Sequence, residues 1–198
     1  PTAYNGVGGS LVLANLANPD LRWEKKLMFN TGIEFTMFNG RLGGTIEYYN
    51  NITKDLFLDR QLSRTSGFAS ITTNLGRLQN QGIEVSLTST IIRNNNFSWS
   101  ISANHTYNKN KILEQPGQPE NITGLFINKE GERANSLYVV RYAGVDPENG
   151  NALYYKKDGK TVTEIYDPSD AVIVGTVDPP HFGGFGTNIS FKGIELDV

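Results

Sequence analysis

From Lys26 to Phe38 the chain alternates. Leu27, Phe29, Ile33, Phe35 and Met37 occupy odd positions with Thr31 among them, while Lys26, Asn30, Gly32, Glu34 and Thr36 occupy even ones beside the exceptions Met28 and the terminal Phe38. A period of two over this length puts one apolar and one polar face on an extended strand. A helix would scatter the same residues around its circumference. The next residues, Phe38-Asn39-Gly40-Arg41, carry the Asn-Gly dipeptide favoured by a type I′ hairpin, in which both central residues take positive φ. The returning strand places Leu42, Ile46, Tyr48 and Ile52 on one face, and Arg41, Thr45, Glu47 and Asn51 on the other.

The arrangement recurs. Ile83, Val85, Leu87 and Ile91 alternate with Glu84, Ser86, Thr88 and Thr90, turn through Arg93 to Asn96, and return as Phe97, Trp99, Ile101, Ala103, His105 and Tyr107. Near the end, Phe185, Ile189 and Phe191 alternate with Gly186, Asn188 and Ser190, and Lys192-Gly193 turns into Ile194, Leu196 and Val198. The pattern predicts six strands, paired as hairpins over about 26–52, 81–109 and 184–198, and no amphipathic helix. Long connections are expected over about 53–80 and 110–182, with Ser136 to Tyr142 and Ala152 to Tyr155 as further strands or hairpins within the second.

Strand length separates two architectures. Soluble strands average about 5–6 residues, whereas a tilted membrane-spanning strand needs about 9–11. The best strands here are of the longer kind, and very short turns alternate with very long connections, as in outer-membrane barrels. Phe38, Phe97 and Phe191 lie near the short turns, and Tyr48, Tyr49 and Tyr107 near the long loops, the two belts that membrane interfaces favour. The polar faces are mostly Ser, Thr, Asn and Gly rather than the Lys and Glu of a solvated sheet. The predicted fold is all-β, an antiparallel transmembrane β-barrel segment with long extracellular loops. Barrels need about eight strands, so residues 1–198 are expected to be a partial barrel domain. The alternative with the same alternation is a soluble β-sandwich carbohydrate-binding module, its apolar faces buried between two sheets. A passive porin or autotransporter barrel is a further rival.

Composition narrows the chemistry. There is no cysteine, which excludes disulfide scaffolds and thiol chemistry, and only two histidines, His105 and His181. A net charge of −2 argues against a nucleic-acid partner. No apolar run reaches the roughly 18 residues of a membrane helix, and the Pro1 start carries no leader, so any signal peptide is expected outside this stretch. Asp146-Pro147-Glu148-Asn149-Gly150-Asn151 has calcium-loop spacing without the downstream glutamate, and reads as a hairpin turn, as does Asp158-Gly159. His105 follows the apolar set of its strand and reads as an interface residue, and His181 has no second ligand nearby in sequence. Glu34, Glu47 and Glu84 project from polar faces, as lumen-lining or salt-bridge groups. Phe57, Phe68, Phe126, Tyr154, Tyr155 and Tyr166 stand in the long connections beside Arg, Asn and Asp, suited to sugar or peptide contacts or to packing the loops together. The expectation is a non-enzyme with no catalytic residue, no metal ligand set and no cofactor, whose ligand-binding residues are unassigned.

Six stretches in order resemble the C-terminal barrel portion of SusC/RagA-type TonB-dependent outer-membrane receptors. They are Asn18-Pro19-Asp20-Leu21-Arg22-Trp23-Glu24; Arg41-Leu42 to Tyr48-Tyr49 with Thr53-Lys54-Asp55-Leu56; Asn80-Gln81-Gly82-Ile83-Glu84; Ser102-Ala103-Asn104 through Asn108-Lys109-Asn110-Lys111; Tyr142 through Asn151; and Phe182-Gly183-Gly184-Phe185 to Phe191-Lys192-Gly193. The resemblance runs from about residue 18 to the end. It implies a stretch of a 22-stranded barrel closed by a plug, in the bacterial outer membrane, that imports glycan or peptide fragments. It further implies a SusD-like surface lipoprotein as lid, oligosaccharide or peptide as ligand, outer-membrane lipid around the wall, and TonB acting through an N-terminal region absent here, as are the plug and the terminal strands. The family has no catalytic residues to carry over.

Overall fold

The computed structural model describes residues 16–68, 70–117 and 120–198; residues 1–15, which the expected 1–198 domain includes along with the Pro1 start, lie outside them. In chain order the strands are β1 (Lys25–Met37), β2 (Leu42–Gln61), β3 (Ser70–Arg93), β4 (Phe97–Glu114), β5 (Glu120–Thr123), β6 (Phe126–Lys129), β7 (Ser136–Val139), β8 (Tyr142–Val145), β9 (Ala152–Tyr155), β10 (Val162–Thr163), β11 (Val172–Thr176), β12 (His181–Phe191) and β13 (Ile194–Asp197). Among the described residues the helical turns are two 3₁₀ turns, Arg64–Ser66 and Pro168–Asp170.

The six predicted strands form one antiparallel sheet in the order β1-β2-β3-β4-β12-β13, open at both edges. The first turn has Asn39 at φ 55° and Gly40 at φ 80°, closed by the Arg41 N–H donating to the Phe38 carbonyl at 3.3 Å, the I′ geometry, with Phe38 itself also left-handed at φ 54°. Register preserves the parity read from the sequence. Phe35, Gly44, Leu87, Ala103 and Phe185 share one row of the apolar face, and Gly32, Glu47, Glu84 and Thr106 share one row of the polar face. Ile91 departs from the expectation, because the β3–β4 register shifts between Thr90 and Ile92 and takes it out of the alternation.

The apolar face is uncovered. Ile33 is 69 % exposed, Phe185 71 % and Leu196 55 %. A soluble sandwich would bury this face against a second sheet, and among the described residues none packs on it.

The expected loop at 53–80 is mostly strand. β2 continues to Gln61 and β3 begins at Ser70, giving strands of 20 and 24 residues. The alternation fades there because the pairing shifts between Thr53 and Leu56 and again between Leu56 and Phe57, with Asp55 at φ 58°. Each bulge exchanges the faces of the residues beyond it. The expected loop at 110–182 is likewise folded. β4 runs on to Glu114, and beyond it lie a four-stranded sheet in the order β11-β7-β6-β5 and a three-stranded sheet in the order β10-β9-β8.

In this upper region polarity inverts. On the face that carries Glu84 and Thr106 lower down, Leu78 now pairs with Ile112, and Gly76 lies against Leu56 and Leu58. On the opposite face the residues become Gln79, Gln81, Lys109 and Lys111. The buried apolar residues sit here too, at Ile112, Ile127 and Ala171. Beyond Tyr107 the edge of β4 is no longer paired with β12, and the β6–β7 turn covers it: the Ile112 N–H donates to Glu132 O at 2.9 Å, and the Gly131 N–H to Ile112 O at 2.8 Å. The Ala134 N–H donates to the buried Asn110 Oδ1 at 3.0 Å. The one sheet therefore has two levels, apolar on one face below and on the opposite face above.

Candidate functional site

The lower level has the dimensions of a membrane wall. Its apolar set spans eleven residues, or ten residue steps, on each of three strands, 27–37 on β1, 42–52 on β2 and 97–107 on β4. Ten steps cover about 33 Å of strand, or about 23 Å vertically at a tilt of about 45°. Outer-membrane barrels carry an apolar band about 25 Å tall.

The tilt itself can be read from the register. Leu27, the top apolar residue of β1, lies in the row of Ile52, Gln79 and Lys111, whereas on β4 the apolar set stops at Tyr107, four residues lower. Four residues are about 13 Å along a strand, and the three strand spacings from β1 to β4 are about 14 Å. A level band therefore needs strands tilted at about 43°, within reach of the 35–45° of such barrels.

Aromatic residues mark both margins. Phe97 pairs with Phe191 near the short turns, and the Trp99 indole N–H donates to Thr187 Oγ1 at 2.9 Å. At the upper margin Tyr48, Tyr107 and His181 share a row, and Phe29 meets Tyr48 edge-on at 6.5 Å. Tyr49, expected in this belt, is on the polar face instead, since it pairs with Gly82 at the opposite parity to Tyr48. His105 and His181, expected to be solitary, are stacked, with His181 Nδ1 3.3 Å from His105 Nε2. Their 76-residue separation hid the pair, but both follow the apolar parity of adjacent strands.

The polar face holds a cleft of about 430 Å³ lined by Asn30, Gly32, Glu47, Tyr49, Asn51 and Glu84. Gly32 clears the space: a Cβ there would stand 2.9 Å from Glu47 Cγ. Glu47 lies directly opposite Glu84, and Glu34 is two residues along β1 from Gly32. Among the described residues the ion pairs are Lys25–Asp55, Arg77–Glu114 and Lys129–Glu120, so none of these three carboxylates has a basic partner there. The cleft can accept cationic or hydrogen-bond-donating groups from whatever fills the space it faces.

The upper level is held by side chains standing in for backbone. The Asn74 carboxamide accepts from the Arg22 N–H at 2.7 Å, donates to Arg22 O at 2.7 Å, and donates to Asp55 O at 2.7 Å. Glu24 Oε1 accepts from the Phe57 N–H at 3.0 Å, and Asn18 Nδ2 donates to Thr72 O at 2.9 Å. The Asn18–Glu24 motif is thus a strap across the β2–β3 extension, fastened at the bulge.

In the three-stranded sheet Tyr154 packs edge-to-face against both Tyr142 (6.4 Å) and Tyr166 (5.3 Å), and Arg141 lies over Tyr155 at 5.5 Å. Asn149 and Asn151 each donate to Glu164, at 2.8 and 3.0 Å. Phe57 and Phe126 lie on β2 and β6, and Phe68 between the Arg64–Ser66 turn and β3, and none of them joins this cluster. The Asp146–Asn151 segment forms the β8–β9 turn, in which Asp146 Oδ1 accepts from the Glu148 N–H at 2.9 Å and Asn149 Oδ1 from the Asn151 N–H at 2.8 Å. Asp158 Oδ1 caps the next turn, accepting from the Lys160 and Thr161 N–H groups at 2.8 and 2.9 Å, while Oδ2 accepts from the Thr161 hydroxyl. The Thr161 hydroxyl and these backbone donors hold the Asp158 pKa down at about 2. Among the described residues no three His, Cys, Asp or Glu side chains gather as a metal-ligand group.

Comparison with known proteins agrees with this geometry. A family described as TonB dependent receptor-like, beta-barrel, matches residues 1–191. A TonB-dependent receptor of Formosa agariphila is 32 % identical over 98 % of this chain and 18 % of its own length. The TonB-dependent receptor SusC of Bacteroides thetaiotaomicron is 29 % identical over 88 % of this chain and 20 % of its own. The solved structure of the RagAB peptide transporter superposes with a TM-score of 0.86 at 33 % identity, covering 99 % of this chain and 23 % of the transporter chain. The chain thus spans about a fifth of the length of the proteins it matches. With a tilted apolar band, two aromatic margins and a match along almost its whole length, this chain belongs to the TonB-dependent receptor-like β-barrel family of the outer membrane.

Proposed function

We propose that this chain forms part of the wall and mouth of a TonB-dependent, SusC-like importer of glycan or peptide nutrients. The observation that carries the reading is the two-level wall: a membrane-height apolar band below, and above it strands that continue into folded sheets rather than loose loops. The polar face lines the lumen beside a plug. The upper sheets, with the Tyr142, Tyr154 and Tyr166 cluster beside Asn149, Asn151 and Glu164, meet the ligand and a SusD-like surface lipoprotein that acts as lid. TonB engages a region outside this chain. Similarity to SusC and to a peptide transporter supports nutrient uptake as the activity, with no catalytic step assigned to these residues.

The test is deletion of the complete gene in its native host, followed by uptake of labelled oligosaccharides and labelled oligopeptides. Loss of uptake of one class, with small-solute entry unchanged, is expected. Unchanged uptake of both classes would overturn the proposal.

A further inference from the structure

We propose that the outward face of β4, just above the upper aromatic margin, binds the phosphate of a net-anionic outer-leaflet lipid headgroup, in preference to a zwitterionic one. A cavity of about 310 Å³ lies between β4 and the edge of the four-stranded sheet, lined by Lys109, Lys111, Glu132, Arg133, Ser136 and Thr176 among others. Lys109 and Lys111 have the parity of Tyr107, so they continue the lipid-facing surface upward, and both are exposed. Neither belongs to an ion pair among the described residues. Arg133 adds a third cation, and its Nη1 is buried without a hydrogen-bond partner. Glu132 is the only carboxylate in the lining, so three cations face one anion. Leaving a charged donor buried and unpaired is costly. A phosphate, with three acceptor oxygens, suits a guanidinium flanked by two ammonium groups.

Height selects the source of that phosphate. Lys109 and Lys111 are two and four residues above Tyr107, hence about 5 and 9 Å above it at a tilt of about 45°. The headgroup layer on each side of a bilayer is about 5–8 Å thick. Lys109 lies within it, and the long stem of Lys111 lets its ammonium group reach back down. The inference rests on the proposed function in taking this face of the sheet as lipid-facing and its upper end as extracellular.

The test uses the complete receptor, extracted from the host outer membrane in neutral detergent and titrated with phosphatidic acid or phosphatidylcholine in native mass spectrometry. Phosphatidic acid is expected to bind about tenfold more tightly, the ratio set by roughly one charge-assisted hydrogen bond. The Lys109→Gln/Lys111→Gln and Arg133→Gln variants are expected to lose that margin, and Lys109→Arg/Lys111→Arg to keep it. If Arg133→Gln is not recovered folded, the lysine pair decides. An unchanged margin in the glutamine variants would overturn the site, as would equal binding of the two lipids. Inorganic phosphate is the third arm: binding of phosphate without any lipid preference would overturn the headgroup as its source. Absence of the receptor from the outer-membrane fraction would refute the wall reading itself, which separates the two failures.

Discussion

The Tyr49 hydroxyl donates to Asn108 Oδ1 at 2.8 Å, reaching across Gly82 from β2 to β4. The three residues share one row of the polar face, so the ring lies over the glycine. A Cβ on Gly82 would stand 2.2 Å from the Tyr107 carbonyl oxygen and 2.6 Å from the Tyr49 hydroxyl. Tyr49→Phe is expected to cost about 1 kcal/mol, the net value of one hydrogen bond. Gly82→Ala should cost more, since the clash with Tyr107 is with backbone and only strand movement relieves it. The measurement is the temperature at which the folded, fast-migrating receptor band is lost on a gel. A Gly82→Ala protein as heat-resistant as Tyr49→Phe would contradict the row geometry.

Ile33 and Leu87 stand near the middle of the outward apolar runs of β1 and β3. Arginine at either position meets the hydrocarbon midplane and should cost about 2–4 kcal/mol. Thr88→Arg, one residue from Leu87 on the polar face, should be tolerated much better. Immunoblots of outer-membrane fractions decide this, and equal yields of Leu87→Arg and Thr88→Arg would reverse the assignment of faces.

Asn74→Ala removes three hydrogen bonds to the Arg22 and Asp55 backbones. The band below should remain assembled while the strap loosens. Hydrogen exchange is expected to speed up at residues 20–24 and 55–58 and to stay unchanged in β4. Uniform acceleration across the sheet would mean that Asn74 supports the whole wall rather than the strap.

Asp158 gives an acid-labile turn. Its folded pKa, about 2, lies below the ordinary carboxylate value of 3.8. The stabilisation is therefore complete above about pH 4 and is lost as pH falls through the folded value near 2. Pepsin cleavage within 156–163 should rise as pH drops from about 4 to about 2. Asp158→Asn should already be sensitive at pH 4, and identical profiles for the two proteins would show that the carboxylate does not hold the turn.

The legible parts of the fold were those where the backbone repeats. Parity at Leu27 through Met37 and at Phe97 through Tyr107 reports a face directly, because a strand has no freedom to choose otherwise. The Asn39-Gly40 turn was readable for the same reason, since few residues tolerate positive φ twice in succession. The 53–80 hairpin has the sequence of a loop because two bulges and Asp55 break parity without ending the strands. Nearness to Tyr48 in sequence suggests the belt for Tyr49, but adjacent strand residues face opposite ways, and Tyr49 pairs with Gly82 on the polar face.

Of the candidate site residues, Glu47 and Glu84 could be placed on polar faces from sequence, but their direct opposition needed the β2–β3 register. The His105–His181 stack, the Asn74 clasp and the pocket around Arg133 join residues 76, 52 and 24 positions apart, the last through the Asn110–Ala134 contact. The sequence alone determined strand periodicity, the apolar face and the membrane-length runs, because these depend on local geometry. Only the tertiary structure decided register, tilt and the inversion of polarity above Tyr107, because these depend on which strand edges meet and where bulges shift them.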